Sequence, residues 1–200
     1  MKIKLLEKCA LFGLLCAALF SLLGFTARCE SIPGEVLRLH ILANSDSEED
    51  QALKLRVRDR ILADSSGLMD GVQNRDGAVE AVRRLLPQLE EAARQEVEAA
   101  GYSYPVKAEL TTMYFSTRRY GSVTLPAGEY QALRITIGRG EGHNWWCMLF
   151  PALCLPAAED AAQLEDVLTG DELQVVQGGY EVKFKVVELY EQLRDWLEDQ

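Results

Sequence analysis

Beyond the N-terminal segment, four residues could do covalent or metal chemistry: His40, His143, Cys147 and Cys154. A cysteine beside an imidazole can serve as nucleophile with its base. Cys147 with His143 or His40 therefore describes a cysteine hydrolase; the plainer reading leaves both histidines as polar surface groups. Cys147 and Cys154 are also spaced for a possible disulfide, with two buried free thiols as the other plain reading. A zinc site built from His40, His143 and Glu141 lacks both the His-x-x-x-His and the paired-cysteine spacing, so no metal is expected. Gly138-Arg-Gly-Glu-Gly142 superficially resembles a phosphate loop, but no Gly-Lys-Ser/Thr and no helix start follow it. Asp46, Glu48, Glu49 and Asp50 suit a helix N-terminus rather than a calcium loop. Trp145, Trp146, Phe150 and Pro151 are the densest aromatic feature, either core packing or a recognition surface beside flexible glycines. No cofactor and no catalytic residue are expected.

The elements that must position these residues follow from periodicity. Val36-Leu-Arg-Leu-His-Ile-Leu-Ala43 alternates as a strand, with Leu37, Leu39 and Ile41 on one face and Arg38 and His40 on the other. Asn44 to Ser47 is a turn, and Ser47-Glu-Glu-Asp50 resembles a capping box opening a helix to about Ala63. Its apolar row is Leu53, Val57 and Ile61. A second helical stretch spans about 75–100, with one apolar phase running through Pro87: a kinked helix, or two helices with the proline in the first turn of the second. Gly101 closes it. A half-buried strand over 105–116 carries Val106, Ala108, Leu110, Thr112 and Tyr114 on one face. Leu125-Pro-Ala-Gly128 is a turn, followed by a strand from Tyr130 to Ile137 with Leu133, Ile135 and Ile137 inward. After the glycine loop, Asn144 to Pro151 reads as a buried strand or aromatic anchor. Val182 to Leu197 reads as a closing helix. The expected fold is α+β, a single domain with a mixed or antiparallel sheet and packed helices.

Charge and hydropathy separate the first residues from this domain. The chain has 200 residues and a net charge of −10. Lys2, Lys4 and Lys8 precede nineteen uncharged residues from Cys9 to Ala27. That is the layout of an export signal or of a membrane anchor if it is not cleaved. Residues 1–29 are therefore expected to be a signal peptide or transmembrane anchor, and 30–200 the exported domain. Membrane contact would run through residues 1–29 if they are retained. The acidic remainder would be repelled by phosphate backbones, so nucleic acid is not an expected partner.

Two stretches carry a family resemblance. Arg38-Leu-His-Ile-Leu-Ala-Asn-Ser-Asp-Ser47, running into Asp50-Gln-Ala-Leu-Lys-Leu-Arg-Val-Arg-Asp59, resembles the opening of the stage II sporulation protein R family. Leu125-Pro-Ala-Gly-Glu-Tyr-Gln-Ala-Leu-Arg134 and Gly140-Glu-Gly-His-Asn-Trp-Trp-Cys-Met-Leu-Phe-Pro-Ala-Leu-Cys154 resemble its later signatures. The chain departs from the family pattern at Ala152, where a second proline is usual, and at His143, where glutamine is more usual. The second departure weighs against His143 as a required base. The resemblance implies a signalling protein rather than an enzyme, exported into the space between the forespore and mother-cell membranes. There it would activate a membrane-embedded aspartic protease that processes the precursor of the mother cell's early sigma factor. The residues matching the motifs are the expected partner contacts: Arg38, His40, Asn44, Asp46, Asp50, Asn144, Trp145 and Trp146. The alternatives are a structural component of the developing spore envelope and, behind it, the Cys147 hydrolase.

Overall fold

The computed structural model describes residues 12–13, 24–66, 71–120, 123–151 and 168–178. A helical segment at 24–31 leads through a 3-10 turn, Ile32–Gly34, into β1 (Leu37–Leu42). Helices α1 (Glu48–Ser66) and α2 (Arg75–Ala99) follow, then β2 (Val106–Phe115), β3 (Arg118–Tyr120), β4 (Val123–Leu125), β5 (Gly128–Ile137) and β6 (Asn144–Phe150). Helix α3 (Gly170–Gln177) ends the described chain. Most of residues 1–29 and the helix expected at 182–197 lie outside the described residues. Among the described residues, no helix is long and apolar enough to cross a membrane.

The main sheet has the order β2-β5-β1-β6. β1 is parallel to β5 and antiparallel to β6, while β2 is antiparallel to β5, so the fold is α+β with a mixed sheet. β3 and β4 form a separate two-stranded ladder.

One face of the main sheet is covered by α1 and α2. Leu53, Val57 and Ile61 of α1 meet Leu37, Leu39 and Ile41 of β1 and Leu133, Ile135 and Ile137 of β5 in one core. Each fully buried aliphatic side chain of this kind contributes roughly 1.5–3 kcal/mol. The row i, i+4, i+8 on α1 and the alternation on β5 were readable because these elements bury one face each. α2 is a single helix with Pro87 inside it. It starts where Asn74 accepts the Gly77 N–H at 2.9 Å and ends at Gly101, whose φ is 86°. There Tyr102 N–H donates to the Val97 carbonyl and Gly101 N–H to Glu98, a Schellman closure.

The opposite face of the sheet is buried too. Ile32, Val36, Phe115, Val123, Leu125, Tyr130, Ala132, Met148, Leu168, Val175 and Val176 form a second core there. Phe25 and Cys29 of the helical segment 24–31 belong to it, and Arg28 pairs with Asp171 of α3 at 3.2 Å. This second layer corrects two expectations. β1 has no solvent face, because Arg38 and His40 are themselves buried at 0% and 3% exposure. β2 does not keep one inward face: Thr112 is exposed and Tyr114 half-buried, while Met113 and Phe115 turn into the second core. The far end of β2 lies under that second layer, so the inward parity changes along the strand.

Candidate partner-binding site

The side chains of β1 that face the second layer sit in rows fixed by sheet register. His40 stands beside Arg134 on β5 and Trp146 on β6, and Arg134 in turn beside Glu109 on β2. Arg38 occupies the adjoining row, between Ala132 and Met148. Two small or apolar neighbours leave its side chain to run into the second core.

Arg38 ends among three aromatic rings. Its guanidinium carbon lies 4.1 Å from the Phe115 ring centre, 5.0 Å from Tyr130 and 5.7 Å from Tyr120. Nη2 donates to the Tyr120 hydroxyl, whereas Nε and Nη1 have no hydrogen-bond partner among the described residues. Burying an ion costs several kcal/mol. Desolvated cation–π contacts return about 2 kcal/mol apiece at best, so the rings offset much of that cost. The unmet N–H donors on Nε and Nη1 remain, at roughly 1–3 kcal/mol for each buried unsatisfied group. Burial pulls the Arg38 pKa below its ordinary value, with the nearby tyrosines pulling it partly back and Arg118 adding to the fall. Tyr130 is held separately, its hydroxyl donating to the Pro126 carbonyl at 2.8 Å.

His40 is the other buried polar group. Its ring stacks on Trp146 with centres 3.9 Å apart and planes 4° apart. Phe115 meets Trp146 edge-on at 4.8 Å. Among the described residues, neither ring nitrogen of His40 has a hydrogen-bond partner in good geometry. Burial pushes the His40 pKa down to about 4; nearby Asn144 opposes the fall, and the Arg134 and Arg38 charges reinforce it. The ring is therefore neutral at pH 7. The Arg118 guanidinium lies 5.8 Å from the Trp146 ring centre. Arg38, Arg118 and Arg134 thus surround one aromatic–imidazole stack, and Glu109, 3.9 Å from Arg134, is itself bonded to Lys107.

The remaining motif residues form a different structure, a clasp between the β1–α1 turn and the β5–β6 loop. Asp50 is 4% exposed and accepts from Asn44 Nδ2 at 2.8 Å and from Ser45 Oγ at 2.5 Å. Burial raises its pKa, but those bonds outweigh it and hold the carboxyl below its ordinary value. Ser47 Oγ accepts the Asp50 N–H at 3.2 Å, which is one half of the expected capping box. The other half is missing because the Asp50 carboxylate is spent on Asn44 and Ser45. Asn44 also accepts the Arg139 N–H at 3.1 Å. Asp46 accepts the His143 N–H and contacts its Nδ1, and these bonds lower the Asp46 pKa. Lys54 Nζ donates to the His143 carbonyl at 2.9 Å. His143 is exposed, unlike His40, for which the surface position expected of both histidines is corrected.

Consecutive residues on a strand face opposite ways, and this separates the two tryptophans. Trp146 joins the Arg38–His40 face, while Trp145 packs against the helix-side core under the Arg58 guanidinium, 4.4 Å from its ring centre. Asn144, at the head of β6, is exposed. Cys147 is 2% exposed and disulfide-bonded, so it presents no thiolate for hydrolysis. Cys154 lies outside the described residues. Among the described residues, no three His, Cys, Asp or Glu side chains are placed to share a metal ion.

The structure therefore brings Arg38, His40 and Trp146 together and sets Asn44, Asp46 and Asp50 apart as a clasp. Phe115, Arg118, Tyr120, Tyr130 and Arg134 complete the first group but carry no sequence signal at Arg38. Only the run of arginines and aromatics from Tyr114 to Tyr120 hinted at them.

Residues 33–160 match the family model described as Stage II sporulation protein R. This range contains both the clasp and the Arg38 face. The Stage II sporulation protein R of Bacillus subtilis (strain 168) is 39% identical over 123 residues, which cover 62% of this chain and 55% of that protein. The chain thus spans about half the length of the curated relative it matches. No solved structure matches the chain.

Proposed function

Because the chain belongs to the stage II sporulation protein R family, we propose that it is a sporulation signal that acts by binding. In this reading it is exported into the space between the forespore and mother-cell membranes, its first residues serving as signal or anchor. It there activates a membrane-embedded aspartic protease that processes the mother cell's early sigma factor precursor. A binding protein does this by favouring the active state of its partner.

The observation that carries the reading is the family match over residues 33–160, which includes every residue of the Arg38–His40–Trp146 face. The chemistry of the chain agrees with it. Cys147 is committed to a disulfide and His40 is a neutral buried ring, so the nucleophile–base couple of a hydrolase has no thiolate.

The experiment is precursor processing in a sporulating cell that lacks the gene. Wild-type chain and Cys147→Ser, the latter wherever it still folds, are expected to restore processing; a chain without residues 1–28 is not. Normal processing in the absence of the gene overturns the proposal.

A further inference from the structure

Within the binding role proposed above, we infer that Arg38 is the receptor for a carboxylate carried by the partner protein. The inference rests on that reading for who carries the carboxylate, and on geometry for the site itself.

Arg38 is wholly buried, yet Nε and Nη1 have no acceptor among the described residues. Buried polar groups are ordinarily paired, so an arginine with one hydrogen bond is a site missing a ligand's oxygens. The charge around it points the same way. Arg118 and Arg134 approach the same aromatic stack, and Arg118 makes no ion pair among the described residues. A gathering of guanidinium groups on a chain of net charge −10 is a local reversal that would orient an acidic partner.

The walls select the class of anion. Phe115, Tyr130 and Trp146 are apolar surfaces that suit a single, planar charge and penalise a doubly charged phosphate. A guanidinium fork matches the two oxygens of a carboxylate. The one acceptor already present, the Tyr120 hydroxyl, belongs to the β3–β4 ladder, which shares no strand pairing with the main sheet. It is the group an incoming carboxylate would displace. The carboxylate is either an Asp or Glu side chain or a chain terminus.

The test uses the purified full-length chain in mild detergent, with sodium acetate titrated against sodium chloride at constant ionic strength. Acetate is expected to raise the melting temperature saturably, by about 3–5 °C at ten times its dissociation constant. Chloride is not, and Arg38→Met abolishes the acetate effect. Should Arg38→Met fail to fold, Tyr120→Phe decides: it keeps the guanidinium and frees a donor, so acetate binds several-fold more tightly. An equal response to both salts, acetate stabilisation of Arg38→Met, or no tightening in Tyr120→Phe each overturns the site.

The same variants in sporulating cells connect the site to the partner. A folded Arg38→Met chain that fails to support processing is the expected result, and one that supports it overturns the partner's role. Short peptides then separate the sources: an amidated peptide with one internal Asp against an apolar peptide with a free terminus, the tighter competitor of acetate naming the kind. Normal processing without the gene instead overturns the signalling role and leaves the acetate response unchanged, so the two failures are distinguishable.

Discussion

The side-chain oxygen of Asn44 stands in the place of a side chain on Gly138: a Cβ built on residue 138 would lie 2.2 Å from Asn44 Oδ1. Both residues follow the C-terminal ends of β1 and β5, which are paired in parallel, and they close the clasp that also holds Asp50 and Ser45. Gly142 repeats the device, since a Cβ there would meet the Ser45 carbonyl oxygen at 2.1 Å.

Gly138→Ala is therefore expected to destabilise the domain by about 2–4 kcal/mol. The backbone at φ 60° penalises a side chain by roughly 1–2 kcal/mol, and Asn44 must also move. Urea unfolding measures the loss; an unchanged midpoint would show that the clasp adapts freely.

Asp50→Ala removes a buried acceptor of two hydrogen bonds and should cost about 2–4 kcal/mol. Its folded pKa lies below the ordinary carboxylate value, so the wild-type contribution is present above the unfolded pKa, near 4, and is lost as pH falls through the folded one. The variant should show a flatter acid limb in unfolding midpoints between pH 5 and about 2.

His40 gives a second, distinct pH dependence. Its folded pKa of about 4 lies under the ordinary imidazole value of 6.5, so the unfolded chain takes up the proton first. Stability is unaffected above pH 6.5 and falls as pH drops toward 4, by on the order of 2–3 kcal/mol. Protonation would add a cation beside Arg134 and Arg38. His40→Phe preserves the stack on Trp146 and should abolish this fall, read as the difference in urea midpoint between pH 7 and pH 5.

Adjacent tryptophans should give opposite functional results. Trp145→Phe keeps an aromatic ring beneath Arg58 and is expected to leave precursor processing intact. Trp146→Ala exposes His40 and breaks the Phe115 contact; it should cost about 2–3 kcal/mol and stop processing. Equal processing in a folded Trp146→Ala chain would remove that face from the contact surface.

Cysteine chemistry offers a direct readout. Cys29 is buried and its thiol is pushed up to about 12 by burial, with Glu30 adding to the rise. It should resist iodoacetamide at pH 8 in the native chain and react once urea unfolds it. Non-reducing peptide mapping should recover Cys147 in a disulfide, and we expect Cys154 as its partner.

Much of the helix-side half was legible in the sequence because its elements bury one face each. Leu53, Val57 and Ile61 mark a helix row, and Leu133, Ile135 and Ile137 a strand face. The other half was hidden by polarity. Arg38 and His40 read as a solvent face, since only distant residues reveal that the position is enclosed: Phe115, Tyr120 and Tyr130 are brought to Arg38 by tertiary packing. The parity change at Met113 and Phe115 arises from the same second layer. Helix α3 did carry a local signal, Thr169-x-x-Glu172, whose capping box forms with Glu172 bonding back to Thr169 at 2.9 Å. The motif residues were legible as a group, but not their division between a clasp and an aromatic face, which depends on strand register.

The parallel pairing of β1 with β5 has a kinetic meaning. Leu37 lies opposite Gln131, so the sheet's central ladder joins residues more than ninety positions apart. Such a contact bears a large loop-closure entropy and belongs to slow-folding topologies. Until β5 has left the ribosome, β1 has neither of its neighbours and the Arg38 pocket has no walls. The nascent chain thus stays open for much of its synthesis, and completion of the Arg38 pocket waits until the whole sheet can assemble.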